Sequence, residues 1–180
     1  ATDNCAAVGN INIAFSDSTI SNCGITELIT RTWTATDENG NSSSCDQIIT
    51  VVDTTDPVLS SAPAGVTVEC DAIPAIATLT ATDNCDASPV ITFAEVRTDG
   101  SCSSNYTLTR TWTATDACGN DATETQIINV VDTTASSITL PIDITVECTD
   151  SIHPDDLGYS LGIDNCDSSL DITHTDSSTQ

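Results

Sequence analysis

Apolar and polar residues alternate along most of this chain with a period of two. In Leu108–Asp116, Leu108, Arg110, Trp112 and Ala114 fall on one face and Thr109, Thr111, Thr113 and Thr115 on the other. The first face is expected to meet a core and the threonine face to meet water. Ile29, Arg31, Trp33 and Ala35 repeat the arrangement. No stretch carries apolar residues at helical spacing over three turns, and the segments between the alternating runs are rich in Asp, Asn, Gly and Ser. An Asp-x-x-Gly-Asn turn follows each Trp-bearing segment and leads to a second run, Gln47–Val52 or Gln126–Val131, which predicts a hairpin. Strands are expected near 57–60, 65–70, 76–81, 89–97, 106–115 and 124–131. Short strands at this spacing predict an all-β, immunoglobulin-like sandwich.

The alternation belongs to a longer repeat. Thr30–Asp37 recurs letter for letter as Thr109–Asp116, and Gln47–Thr55 recurs as Gln126–Thr134 with one change. Val66–Cys70 returns as Ile144–Cys148, and the Asp-Asn-Cys turn occurs at Cys5, Cys85 and Cys166. Offsets of 78 to 81 residues give a unit of about 79 residues, the size of one small β-domain. The reading is a partial repeat at 1–55 with late strands, a complete repeat at 56–134, and a partial repeat at 135–180 with early strands. The chain therefore reads as a window on a longer tandem array, with stiff, proline-bearing junctions such as Asp53-Thr54-Thr55-Asp56-Pro57.

Composition narrows the function. The 27 acidic residues face three arginines and no lysine, for a net charge of −24. Such a surface repels nucleic acid and anionic membranes and attracts cations. No apolar run is long enough to insert in a membrane. Only six residues are aromatic, so the core is thin and cross-links are expected to compensate.

Nine cysteines at recurring positions point to an oxidising, extracellular or cell-surface location. Repeat equivalence predicts pairing within each unit: Cys70 with Cys85, Cys148 with Cys166, Cys23 with Cys45, and Cys102 with Cys118. Cys5 is left without a partner, which is expected to lie in an earlier unit.

No catalytic constellation is present. His153 and His174 are tied to no nucleophile motif, and neither a nucleophile elbow nor a Gly-rich phosphate loop occurs. The chain is therefore expected not to be an enzyme and to require no cofactor, with calcium as the candidate cation. Hard cations take carboxylate and carbonyl oxygens, and the junction acids Asp53, Asp56 and Asp132 are the candidate ligands. The Asp37 and Asp116 turns are expected instead to be capped hairpins with glycine at positive φ. Arg31 and Arg110, each two residues before a Trp, are expected to stack or to pair with a carboxylate such as Glu69 or Glu147.

Thr-Arg-Thr-Trp-Thr-Ala-Thr-Asp-Ala-Cys-Gly-Asn, Val-Val-Asp-Thr-Thr, Val-Thr-Val-Glu-Cys and Ala-Thr-Asp-Asn-Cys-Asp together resemble the hyalin-repeat (HYR-like) modules. These occur in tandem in large surface and secreted proteins of Bacteroidota-type bacteria. The resemblance implies immunoglobulin-type sandwiches serving in adhesion and extracellular architecture. The first repeat departs from it at Glu38-Asn39-Gly40, where the second carries Ala117-Cys118-Gly119. The expected function is a structural or adhesive segment of an extracellular rod or filament, partnered by neighbouring repeats or identical subunits. A glycan- or protein-binding accessory module of a large secreted protein is the alternative, with Tyr106 and Tyr159 the only aromatic candidates for its loops.

Overall fold

The structure, a computed structural model, describes residues 11–177; Cys5 lies outside them. It is nearly all β. β1 (Asn12–Ser21), β2 (Glu27–Thr36) and β3 (Ser42–Val51) form a three-stranded antiparallel sheet in that order. The turn into β3 is built by Asp37. Its Oδ1 accepts the backbone N–H of Asn39 and Asn41, and its Oδ2 accepts from the Asn41 amide. Gly40 completes the turn at φ +88°, a conformation that a side chain would strain.

The central repeat contributes β4 (Val58–Leu59), β5 (Val66–Glu69), β6 (Ala81–Thr82), β7 (Val90–Asp99), β8 (Tyr106–Thr115) and β9 (Asp121–Val131). β4 pairs with β6, and a four-stranded sheet runs β5-β9-β8-β7. β5 lies parallel to β9 with Glu69 level with Val131, so an early strand of the repeat hydrogen-bonds to its last. Five of the six expected strands appear close to their predicted bounds. The sixth, 76–81, is reduced to Ala81–Thr82, preceded by Thr80 bonding Ser60 through both its N–H and its carbonyl. β10 (Ser137–Thr139), the single helical turn α1 (Pro154–Leu157) and β11 (Leu161–Ile163) follow, with β10 paired to β11.

The period-two pattern has its expected consequence in β8. Leu108, Arg110, Trp112 and Ala114 are all buried, while the threonines between them are not. Arg110 is tolerated there because its Nε donates to Glu95 at 2.7 Å and an Nη donates to the Ala75 carbonyl. The sequence expectation of Glu69 or Glu147 as partner is corrected: in both repeats the carboxylate comes from the neighbouring strand. Asp17 stands opposite Arg31 in the β1–β2 register and accepts from it twice, at 2.8 Å each. Arg31 also stacks on Phe15, 4.6 Å from the ring centroid.

By contact the chain forms two compact units. One comprises the described residues up to Ala62 with Thr78–Phe93 and Thr111–Glu124; the other comprises Pro63–Ala77, Ala94–Arg110 and the described residues from Thr125 onward. In the first, Trp112 is buried with Phe93 against it at 5.2 Å. In the second, Leu108, Ile128 and Val130 form the core, flanked by Val68, Cys70, Ile73 and Tyr106.

Candidate functional site

Two clusters of cysteine and acid carry the chemistry. In the first unit, Cys23 from the β1–β2 loop is bonded to Cys118 from the β8–β9 turn, with the Cα atoms 5.0 Å apart. The Cys23 loop is held by Thr26, which is buried and whose hydroxyl donates to the Cys23 carbonyl. Gly24, at φ +56°, lets the Asp-Asn-Cys turn approach: a Cβ there would lie 3.0 Å from the Cys85 carbonyl oxygen. Asp86 accepts the Ala117 N–H at 2.8 Å from the same side.

Beside this bridge, carboxylate oxygens of Asp53, Asp83 and Asp116 lie within 4.8 Å of one another. Each acid shapes its own backbone. Asp53 accepts from the Thr55 N–H, Asp83 from the N–H groups of Cys85 and Asp86, and Asp116 from those of Cys118 and Asn120 and from the Asn120 amide. One oxygen each of Asp53 and Asp83 remains buried with no hydrogen-bond partner. Burial pushes the Asp116 carboxyl up, but the bonds from Asn120 and the turn outweigh it and hold the group below its ordinary value. No cationic side chain compensates: the arginines pair with Asp17, Asp99 and Glu95, and the sequence has no lysine. Three clustered carboxylates with two unsatisfied oxygens fit a hard divalent cation.

In the second unit, Cys70 at the end of β5 is bonded to Cys166, with a Cα separation of 5.6 Å. Glu69 accepts from both the N–H and the hydroxyl of Thr133, which holds its carboxyl below the ordinary range. Asp132 has one buried, unpartnered oxygen. Burial, then Asp164 and Glu69, push its carboxyl up. Asp164 caps Cys166 and Asp167 as Asp83 caps Cys85 and Asp86. Glu69, Asp132 and Cys166 also come within 4.8 Å, but a disulfide sulfur is not a thiolate, which leaves only the two carboxylates as ligands.

The candidate ligands named from sequence thus separate. Asp53 joins Asp83 and Asp116, Asp132 joins Glu69, and Asp56 is exposed and belongs to neither group. Asp116 is expected from sequence only as a hairpin cap, and it is one; Asp83 lies far along the chain from Asp53. The one available signal was their place in motifs that recur. Tyr106 packs in β8 under the Arg97 guanidinium, 3.6 Å from its ring centroid. Tyr159 is exposed and lines a cavity of about 460 Å³ with Pro141, Leu157, His174 and Asp176.

The expected pairing within repeats is corrected. The bridges are Cys23–Cys118 and Cys70–Cys166, and Cys45, Cys85, Cys102 and Cys148 are free thiols. The reason is strand length. Cys102 precedes β8 and Cys118 follows it, and ten extended residues hold the two ends about 33 Å apart. A disulfide needs its Cα atoms within about 7 Å. Cys45 is likewise far along β3, opposite Trp33, while Cys23 precedes β2. Cys70 belongs to the second compact unit and Cys85 to the first, where it lies against the loop of Gly24.

Residues 58–130 match the family described as the HYR-like domain with 4 cysteines. The four in this segment are Cys70, Cys85, Cys102 and Cys118, and neither bridge joins two of them. No curated protein matches the chain. Among solved structures 21 chains match. One is the protocadherin gammaB7 EC3-6 cis-dimer, 14% identical, with 81% of this chain and 46% of that one covered and a TM-score of 0.32. This chain spans about half the length of that one, and a likeness so loose assigns no function. Among the described residues no helix is long and apolar enough to cross a membrane.

Proposed function

We propose that this chain is a non-catalytic structural and adhesive segment of an extracellular rod or filament, built from tandem immunoglobulin-like repeats that disulfides join to one another. One observation carries the reading. The bridges span 95 and 96 residues, more than the repeat offset of 78 to 81, so each ties one repeat to the next. Load then passes between repeats through covalent bonds as well as through the short junctions. The cysteine content and the HYR-like match at 58–130 support an oxidising, extracellular setting. Stretching the single oxidised chain from its ends tests this. Reduction should release about 96 residues of extra length, roughly 320–350 Å. Equal full extension with and without reductant would remove the covalent role.

A second ingredient is favoured by the unpartnered oxygens of Asp53 and Asp83: a calcium ion held with Asp116, stiffening the junction. Calcium should raise the melting temperature of the wild type and not of Asp83→Asn. A melting temperature indifferent to both calcium and EDTA removes the ion. The glycan- or protein-binding alternative rests on the Tyr159 cavity, and a glycan array with no hit sensitive to Tyr159→Ala excludes sugar binding there.

A further inference from the structure

Each bridge occupies a different junction, and the two are of different kinds. At the first junction a cysteine preceding the Trp strand, Cys23, meets a hairpin-turn cysteine of the following repeat, Cys118. At the second, a strand-ending cysteine, Cys70, meets the Asp-Asn-Cys cysteine of the following repeat, Cys166. The free thiols occupy the equivalent places. Cys102 stands 79 residues after Cys23, Cys148 stands 78 after Cys70, and Cys85 stands 81 before Cys166. Strand geometry bars Cys102 from Cys118 in its own repeat, as shown above.

We propose that a junction of this repeat carries both kinds of bridge wherever the aligned cysteines are present, so that Cys85, Cys102 and Cys148 are each half of a disulfide to an adjacent copy of the repeat. Cys102 takes the hairpin-turn cysteine of a following copy. Cys148 takes the Asp-Asn-Cys cysteine of a following copy, and Cys85 takes the strand-ending cysteine of a preceding one. Cys85 is already in position. Its carbonyl lies against Gly24, next to the Cys23–Cys118 bridge, and its Asp83-capped turn matches the Asp164-capped turn of Cys166. Cys102 and Cys148 are exposed and open to a partner. Cys45 has no counterpart at its aligned position and takes no part.

Closing each bridge removes two protons and two electrons from a thiol pair. The acceptor is the disulfide of a thiol–disulfide oxidoreductase, which leaves as a dithiol after exchange through a mixed disulfide.

This inference rests on the repeat-to-repeat bridging of the proposed function, and one experiment separates their failures. The protein is taken oxidised from its native source, its free thiols are alkylated in denaturant, and it is digested with trypsin. With no lysine and arginines at 31, 97 and 110, Thr98–Arg110 is a tryptic peptide whose one cysteine is Cys102. It should be missing as a linear species, then appear on reduction, having been linked to a hairpin-turn peptide of another copy. Cleavage before aspartates should show Cys85 and Cys148 linked in the same way to their own classes of partner. An alkylated, linear Thr98–Arg110, or its linkage to Cys70, to Cys85 or, with no fall in denatured mass on reduction, to Cys118, overturns the proposal. If that occurs while Cys23–Cys118 and Cys70–Cys166 are recovered, the proposed function stands and the two-bridge junction falls. Loss of those two bridges removes both. A denatured mass that drops on reduction places the adjacent copy in a second chain, and an unchanged mass places it in the same one.

Discussion

Thr30–Asp37 and Thr109–Asp116 are the same eight residues in two surroundings. Both form the strand of a hairpin, both stack their Trp on a Phe of the preceding strand, at 5.4 Å and 5.2 Å, and both end in an Asp that caps the turn. Their burial differs. Every residue of β2 is half-buried, whereas β8 alternates and Trp112 is only 2% exposed. β1, alongside β2, is exposed throughout, Phe15 included. The sheet β1-β2-β3 has no counterpart of β5 among the described residues, and β8 lies in the sheet that does. Local pattern therefore sets the strand, its partner ring and its cross-strand ion pair. Burial is set by the rest of the repeat.

The comparison can be broken most forcefully at the bridge that ties the exposed sheet to the central repeat. Closing a loop of 95 residues stabilises by about 4–5 kcal/mol in the chain-entropy model. Cys23→Ser should lower the denaturation midpoint accordingly in urea, and an unchanged midpoint would mean that the bridge constrains nothing. Next in size are the tryptophans. Trp112→Ala should cost about 3–5 kcal/mol, and Trp33→Ala only about 1–2 kcal/mol because its ring is already half in water. Equal costs by denaturant titration would show that β2 is covered in solution.

The smallest effect is electrostatic and has opposite signs at the two junctions. The Asp116 carboxyl is held low, so its contribution is present above about pH 4 and is lost as pH falls through the folded-state value. The Asp132 carboxyl is pushed up, so its contribution is full below about pH 4 and is lost as pH rises through its raised value. In EDTA at neutral pH, Asp132→Asn should raise the melting temperature and Asp116→Asn should lower it. The same sign for both would contradict these assignments.

Alternation alone located β8 to the residue and β7 to within two, because each is a long run with one wet face. It overstated β6, because alternation does not show where a ladder begins: the strand is confined to Ala81–Thr82, paired with β4. Repeat equivalence pairs the cysteines within one repeat, yet each such pair has strands or a turn of the fold between its members. The Asp53–Asp83–Asp116 group was hidden similarly, since its members come from a strand end, a loop and a hairpin turn. Only the repeat register carries information about which of these meet.

The most direct test of repeat-to-repeat bridging is a tryptic digest of the oxidised 180-residue chain in denaturant, read without reduction. Cys23–Cys118 and Cys70–Cys166 should keep 1–31, 32–97 and 111–180 joined in one body that does not include Thr98–Arg110. Bridging within repeats would instead give two bodies, 1–31 joined to 32–97 and 98–110 joined to 111–180, and that result would contradict the account.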